Sequence, residues 1–244
     1  MKCKKVLLAI IFAVSALAMN AQNIQLHYDF GGSMYEEYTG RPVLTTTVEM
    51  FRPDKWGSTF FFIDMDYTSK GVAGAYFEIA RELKFWQGPI SVHVEYNGGL
   101  TSFEIPDNGF GAARFQNAYM LGATYSWNKA DFNAGYSLMA LYKHIQKQPF
   151  DKPHNFQITG TWYVNFAKNN LLTFTGFADF WKEKTAVGDY IFLAEPQIWL
   201  HFNKMSGVDE KFNLSIGSEV ELGNNFAVHD GFFAIPTAAI RWDF

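Results

Sequence analysis

The groups in this chain that can do chemistry are mostly carboxylates, and they fall on the polar side of alternating runs. Asp64 and Asp66 lie two residues apart, as do Glu219 and Glu221. Asp29, Glu49, Glu78, Glu82, Glu95, Asp179 and Glu195 occupy the same kind of position, and His93 and Arg241 join them. Phe60 and Phe62 continue the side of Asp64 and Asp66, with Tyr76 and Trp199 placed likewise on their own runs. An enzyme would need a nucleophile, a base and an orienting third group within reach of one another. Ser91 and His93 share a side but bring no third member, so catalysis is not expected. No His-x-His or Glu-x-x-His spacing points to a metal, and no cofactor is called for. What the pattern supplies is a wall: carboxylates to bind and steer small polar solutes, and ring faces to stack on flat ones. Stacking of that kind is worth about 1–3 kcal/mol per base.

Such a wall requires strands, because only a period of two puts every second side chain on one face. The clearest case is Leu44–Tyr67. Leu44, Thr46, Val48 and Met50 oppose Thr45, Thr47 and Glu49; after Pro53–Gly57, Phe61, Ile63, Met65 and Tyr67 oppose Asp64 and Asp66. The same alternation recurs in 24–30, 75–85, 90–97, 118–127, 132–143, 156–166, 171–181, 190–202, 212–222 and 233–244, which predicts twelve strands in all. Each is about ten residues, the length that crosses a bilayer when tilted. Connections at 53–57, 86–89, 128–131, 167–170 and 203–211 are mostly brief. Those at 31–42, 68–74, 98–116, 145–155, 182–190 and 223–232 are mostly longer. Short turns on one side and longer loops on the other predict an all-β, up-and-down transmembrane barrel with both ends periplasmic. Arg81 falls on the oily side and implies a bulge or register shift. Pro196 and Pro236 interrupt strands and belong at bulges or unpaired positions.

The polar side cannot be a dry core, since buried unpaired charge is costly. It is either wet, giving a channel, or cross-braced by ion pairs, giving a closed structural or surface-binding barrel. The 98–116 connection is expected to be a docking loop or a constriction folded into the pore.

Compartment and composition agree with that architecture. Lys2, Lys4 and Lys5 precede an apolar run from Val6 to Ala18 that ends in small residues, so residues 1–21 read as a secretory signal peptide and 22–244 as the barrel. Cys3 is the only cysteine and precedes the apolar run, so neither a disulfide nor a lipid anchor is expected. Loss of 1–21 removes three lysines and no acid, leaving 17 basic against 24 acidic residues; this excludes a nucleic-acid polymer as partner. Aromatics make up 18% of the chain, in keeping with strands and with interfacial girdles.

Two resemblances add to this. Ile240, Trp242 and Phe244 alternate to a terminal phenylalanine, which resembles the signal read by the outer-membrane barrel-assembly machinery. Thr46-Thr47-Val48-Glu49-Met50-Phe51 and Phe60-Phe61-Phe62-Ile63-Asp64-Met65-Asp66 resemble the Tsx-like nucleoside-specific channel-forming proteins, including members of unassigned function. That resemblance implies a monomeric outer-membrane barrel in contact with lipid, passing small hydrophilic solutes by passive diffusion, nucleosides first among them.

Overall fold

The structure, a computed structural model, describes residues 22–103, 105, 109–147 and 152–244. The signal peptide expected at 1–21 lies outside the described residues. The strands are β1 (Gln22–Asp29), β2 (Leu44–Asp54), β3 (Gly57–Thr68), β4 (Gly71–Leu83), β5 (Ile90–Phe103), β6 (Gly111–Arg114), β7 (Ala118–Asn128), β8 (Ala134–Ile145), β9 (His154–Phe166), β10 (Leu172–Lys182), β11 (Tyr190–Ala194), β12 (Gln197–His201), β13 (Leu214–Asn224) and β14 (Phe232–Asp243). Every pairing is antiparallel, β5 pairs past β6 with β7, and β14 returns to pair with β1. β11 and β12 are two halves of one stave, both lying between β10 and β13. Among the described residues β6 pairs only with the C-terminal end of β5. The result is a closed barrel of twelve antiparallel staves.

Alternation sets the two faces. On β1, Asn23, Gln25, His27 and Asp29 are buried while Ile24, Leu26 and Tyr28 are exposed. On β5, Ser91, His93, Glu95 and Asn97 are buried while Ile90, Val92 and Val94 are exposed, Val94 at 43%. Polar side chains therefore line the inside, and oily ones cover the outside. Outward rings neighbour one another across strands, as Tyr96 with Tyr119 at 5.4 Å and Trp127 with Tyr136 at 5.7 Å. Aromatic girdles of this kind sit at membrane interfaces.

Several expectations are corrected. The ladder around Arg81 is regular: Thr59 pairs with Arg81, and the register shift falls between Asp66 and Tyr67 instead. Arg81 keeps its outward position because the end of β2 supplies an acid, Asp54, whose Oδ2 accepts from Nη1 at 2.6 Å. The connection at 68–74 is a two-residue turn, Ser69-Lys70, between β3 and β4. The 98–116 segment is mostly strand, with β5 running on to Phe103 and β6 returning beside it; residues 104 and 106–108 lie outside the described residues.

The two prolines behave differently. Pro196 separates β11 from β12. Pro236 stays within β14 opposite Val220, and beside it the β13–β14 pairing lapses at Ser218 and Glu219 without a change of register. The break at Pro196 is matched by Gly176 on β10, whose φ of 153° suits glycine. A Cβ there would stand 2.5 Å from the Glu195 carbonyl oxygen, so only a bare backbone lets the kinked stave approach.

Candidate functional site

The lumen is built from the inner positions of these staves. Along β2 and β3 the acids are held by neutral donors opposite them. The Thr45 hydroxyl donates to Asp66 at 2.7 Å and the Thr47 hydroxyl to Asp64 at 2.5 Å. The Asn23 amide donates to Glu49 at 3.0 Å. On the far wall the Gln197 amide donates to Glu219 at 2.5 Å. Glu78, Asp179 and Glu195 complete the set from β4, β10 and the β11–β12 break. All seven carboxylates are half-buried, and among the described residues none is paired with an arginine or lysine. Glu78 feels the charge of Glu95, Asp179 and Asp64, while Glu195 feels that of Glu219, Glu221, Asp64 and Asp179. Acids from opposite staves thus share one electrostatic belt.

The inward cations are engaged elsewhere. Arg41 reaches in from the β1–β2 loop and donates to Asp29 at 2.9 Å and to Glu221. Arg241 donates to Asp243 at 2.6 Å and lies 5.8 Å over the Trp199 ring. The Lys143 ammonium donates to Gln157 at 2.8 Å and sits 4.4 Å over Trp181. His93, 1% exposed, has Glu82 at 2.6 Å on Nδ1 and Glu95 at 2.7 Å on Nε2. Ser91 and Thr124 both donate to Glu82, so the Ser91 hydroxyl is spent on Glu82 rather than on His93. Asp29, Glu82, His93, Glu95 and Arg241 are thus engaged in contacts along strands, across strands and with the β1–β2 loop.

The aromatic positions divide as well. Trp199 is 0% exposed, with its indole N–H on Gln197 at 2.9 Å and His27 edge-on at 6.1 Å, so it presents no free face to a solute. Phe60, Phe62 and Tyr76 are half-buried and form a ladder, with centroids 6.0 Å and 5.7 Å apart. Phe115, just after β6, extends it at 6.3 Å from Tyr76.

The end of the lumen opposite Gln22 and Phe244 is narrowed by the β1–β2 loop, which carries a short helix, α1 (Gly31–Met34), and a 3-10 turn at Glu36–Tyr38. Tyr38 packs edge-on against Phe233 at 5.6 Å, and the Tyr35 hydroxyl donates to the Ala234 carbonyl at 3.1 Å. Burial, reinforced by Glu221, pushes the Tyr38 hydroxyl up to about 12. Burial works against the Arg41 charge, yet Glu221 and Asp29 hold the guanidinium above its ordinary value.

A family model for a domain of unknown function, DUF5020, matches residues 21–244. The chain belongs to the DUF5020 family. No curated protein matches it. Among solved structures, the DUF5020 barrel is similar to a NanC porin, with a TM-score of 0.55 and 10% identity, covering 92% of this chain and 99% of that one. It also matches Omp33 of Acinetobacter baumannii at a TM-score of 0.43 and 10% identity, over 92% and 98% of the two chains. OprB of Pseudomonas putida follows at 0.41 and 9%, over 88% and 62%. The NanC likeness carries the barrel fold and nothing of its specificity.

Four contributors to the lumen of this DUF5020 barrel carry little signal in the sequence. Arg41 lies in an aperiodic loop, and only its isolation among Glu36, Glu37 and Tyr38 marks it. Phe115 falls in a segment read as loop. Phe233 and Ile235, 1% and 0% exposed, are apolar residues on an inner face. The run Phe232-Phe233-Ala234-Ile235 has no polar member to show which side is which.

Proposed function

We propose that this protein is an outer-membrane channel that passes small hydrophilic solutes by passive diffusion, with nucleosides as leading candidates. One observation carries the reading: seven carboxylates on the inner wall of a closed barrel keep water-accessible surface without a lysine or arginine partner. Unpaired charge is stable only where water reaches it, so the lumen holds water. The oily exterior suits a lipid surround, and the polar interior suits the passage of solutes. The nucleoside assignment is supported by the Phe60–Phe62–Tyr76–Phe115 ladder, whose faces suit a planar base, and by the sequence resemblance of β2 and β3. The exposed Phe244 at the end of the closing stave, 71% exposed, suits recognition by the barrel-assembly machinery. The functional unit is proposed to be a monomer, exported by a cleaved 1–21 signal.

The runner-up is a closed barrel with a structural or surface-binding role. It is favoured by the β1–β2 loop docked in the outer mouth through Arg41 and Tyr38. Reconstitution in a planar bilayer separates the two. A channel gives discrete open currents that adenosine reduces; a closed barrel gives none. Open currents insensitive to adenosine would keep the channel and remove the nucleoside.

A further inference from the structure

The belt carries a charge preference, which rests on the channel reading above and deepens it. Asp64, Glu78, Asp179, Glu195 and Glu219 come from four walls and a strand break, and each lies within electrostatic reach of another across the lumen. Among the described residues Lys143 is the cation that acts most strongly on Glu78 and Asp179, and its ammonium is turned to Gln157 and the Trp181 ring. Beside the belt, Glu221 is 9% exposed; one of its oxygens takes Arg41, and the other, Oε1, has no hydrogen-bond partner among the described residues. One Asp179 oxygen, Oδ1, is likewise unpartnered. Enclosed acceptors without donors are places where a positively charged donor gains most. The ladder of Phe60, Phe62 and Tyr76 runs alongside Asp64 and Glu78, because Phe62 pairs with Glu78 and Asp64 with Tyr76 across β3 and β4. Ring faces next to carboxylates attract a cation twice, through charge and through the ring quadrupole.

We infer that the lumen selects for small cations, and among organic solutes for those with an ammonium group beside a flat apolar body, over anions of the same size. Rings of carboxylates give cation selectivity in other pores by the same physics.

The test is the reversal potential of the reconstituted full barrel under a KCl gradient. K⁺ is expected to be favoured over Cl⁻ by at least about threefold. Tyramine added to one side is expected to block current more strongly than an aromatic carboxylate of equal size. In the combined variant Asp64→Asn, Glu78→Gln, Glu219→Gln, the ratio is expected to fall towards one. A wild-type ratio at or below one, in a barrel that conducts, would overturn this inference and leave the channel standing. A wild-type ratio above threefold that the combined variant does not lower would overturn the role of the belt. Absence of any current in the wild type would overturn the channel reading itself, and the charge preference with it. The wild-type measurement decides the matter even where the variant does not assemble.

Discussion

Two kinds of charged residue share this lumen, and what each touches separates them. Arg41 bridges Asp29 and Glu221, so its removal leaves two enclosed carboxylates facing one another. Breaking a fully buried pair costs about 3–5 kcal/mol. The Arg41 side chain keeps 26% of its surface in water, so Arg41→Ala is expected to cost roughly 2–3 kcal/mol. It should appear as a lower unfolding temperature in detergent and as faster protease cleavage within residues 30–43. Tyr38 adds a pH dependence to the same loop. Its folded-state value, about 12, lies above its ordinary 10.0, so the neutral hydroxyl is preferred when the loop is docked. That contribution is complete below pH 10 and is lost as pH rises through about 12. Cleavage in the loop is therefore expected to rise between those values, and Tyr38→Phe should remove the rise. Neither residue was readable in the sequence, since both lie in a segment without periodicity. The carboxylates opposite them were readable, because alternation alone decides which face a strand residue takes.

At the scale of the element, the alternating runs of β1, β3, β5 and β13 gave the face of nearly every residue, for a simple reason. Each has polar residues on one side and apolar residues on the other, and a one-residue slip would put acids into the oily exterior. Ends were less readable. Nothing in the composition of Thr68–Gly71 separates a tight turn from a longer loop, and the return of β6 along β5 depends on pairing rather than on periodicity. Arg81 looks like a defect in the sequence because its partner Asp54, at the end of β2, is distant along the chain and adjacent only after folding. The strand break at Pro196 was anticipated; its complement Gly176 was not. Gly176→Val adds a side chain at a φ that disfavours one and drives a Cβ to 2.5 Å from the Glu195 carbonyl. A loss of about 2–3 kcal/mol is expected, measurable as a lower transition temperature for loss of the compact barrel band on a gel.

For the whole molecule, the decisive property is inversion: oily outside, charged inside. That arrangement makes the outer face sensitive to charge and the inner face tolerant of it. Val94→Arg places a guanidinium in the apolar band, where the cost rises to about 2–4 kcal/mol at the midplane. The free energy of folding into vesicles should fall accordingly, whereas Thr47→Arg, beside Asp64 on the inner wall, should fall far less or not at all. The most direct measurement uses cysteine labelling. Cys3 is the only cysteine in the sequence, so Glu78→Cys and Val94→Cys each report one face. With barrels folded into vesicles, a charged, membrane-impermeant thiol reagent is expected to label Glu78→Cys rapidly and leave Val94→Cys unmodified. Rapid labelling of Val94→Cys with protection of Glu78→Cys would contradict a water-filled lumen inside an oily wall.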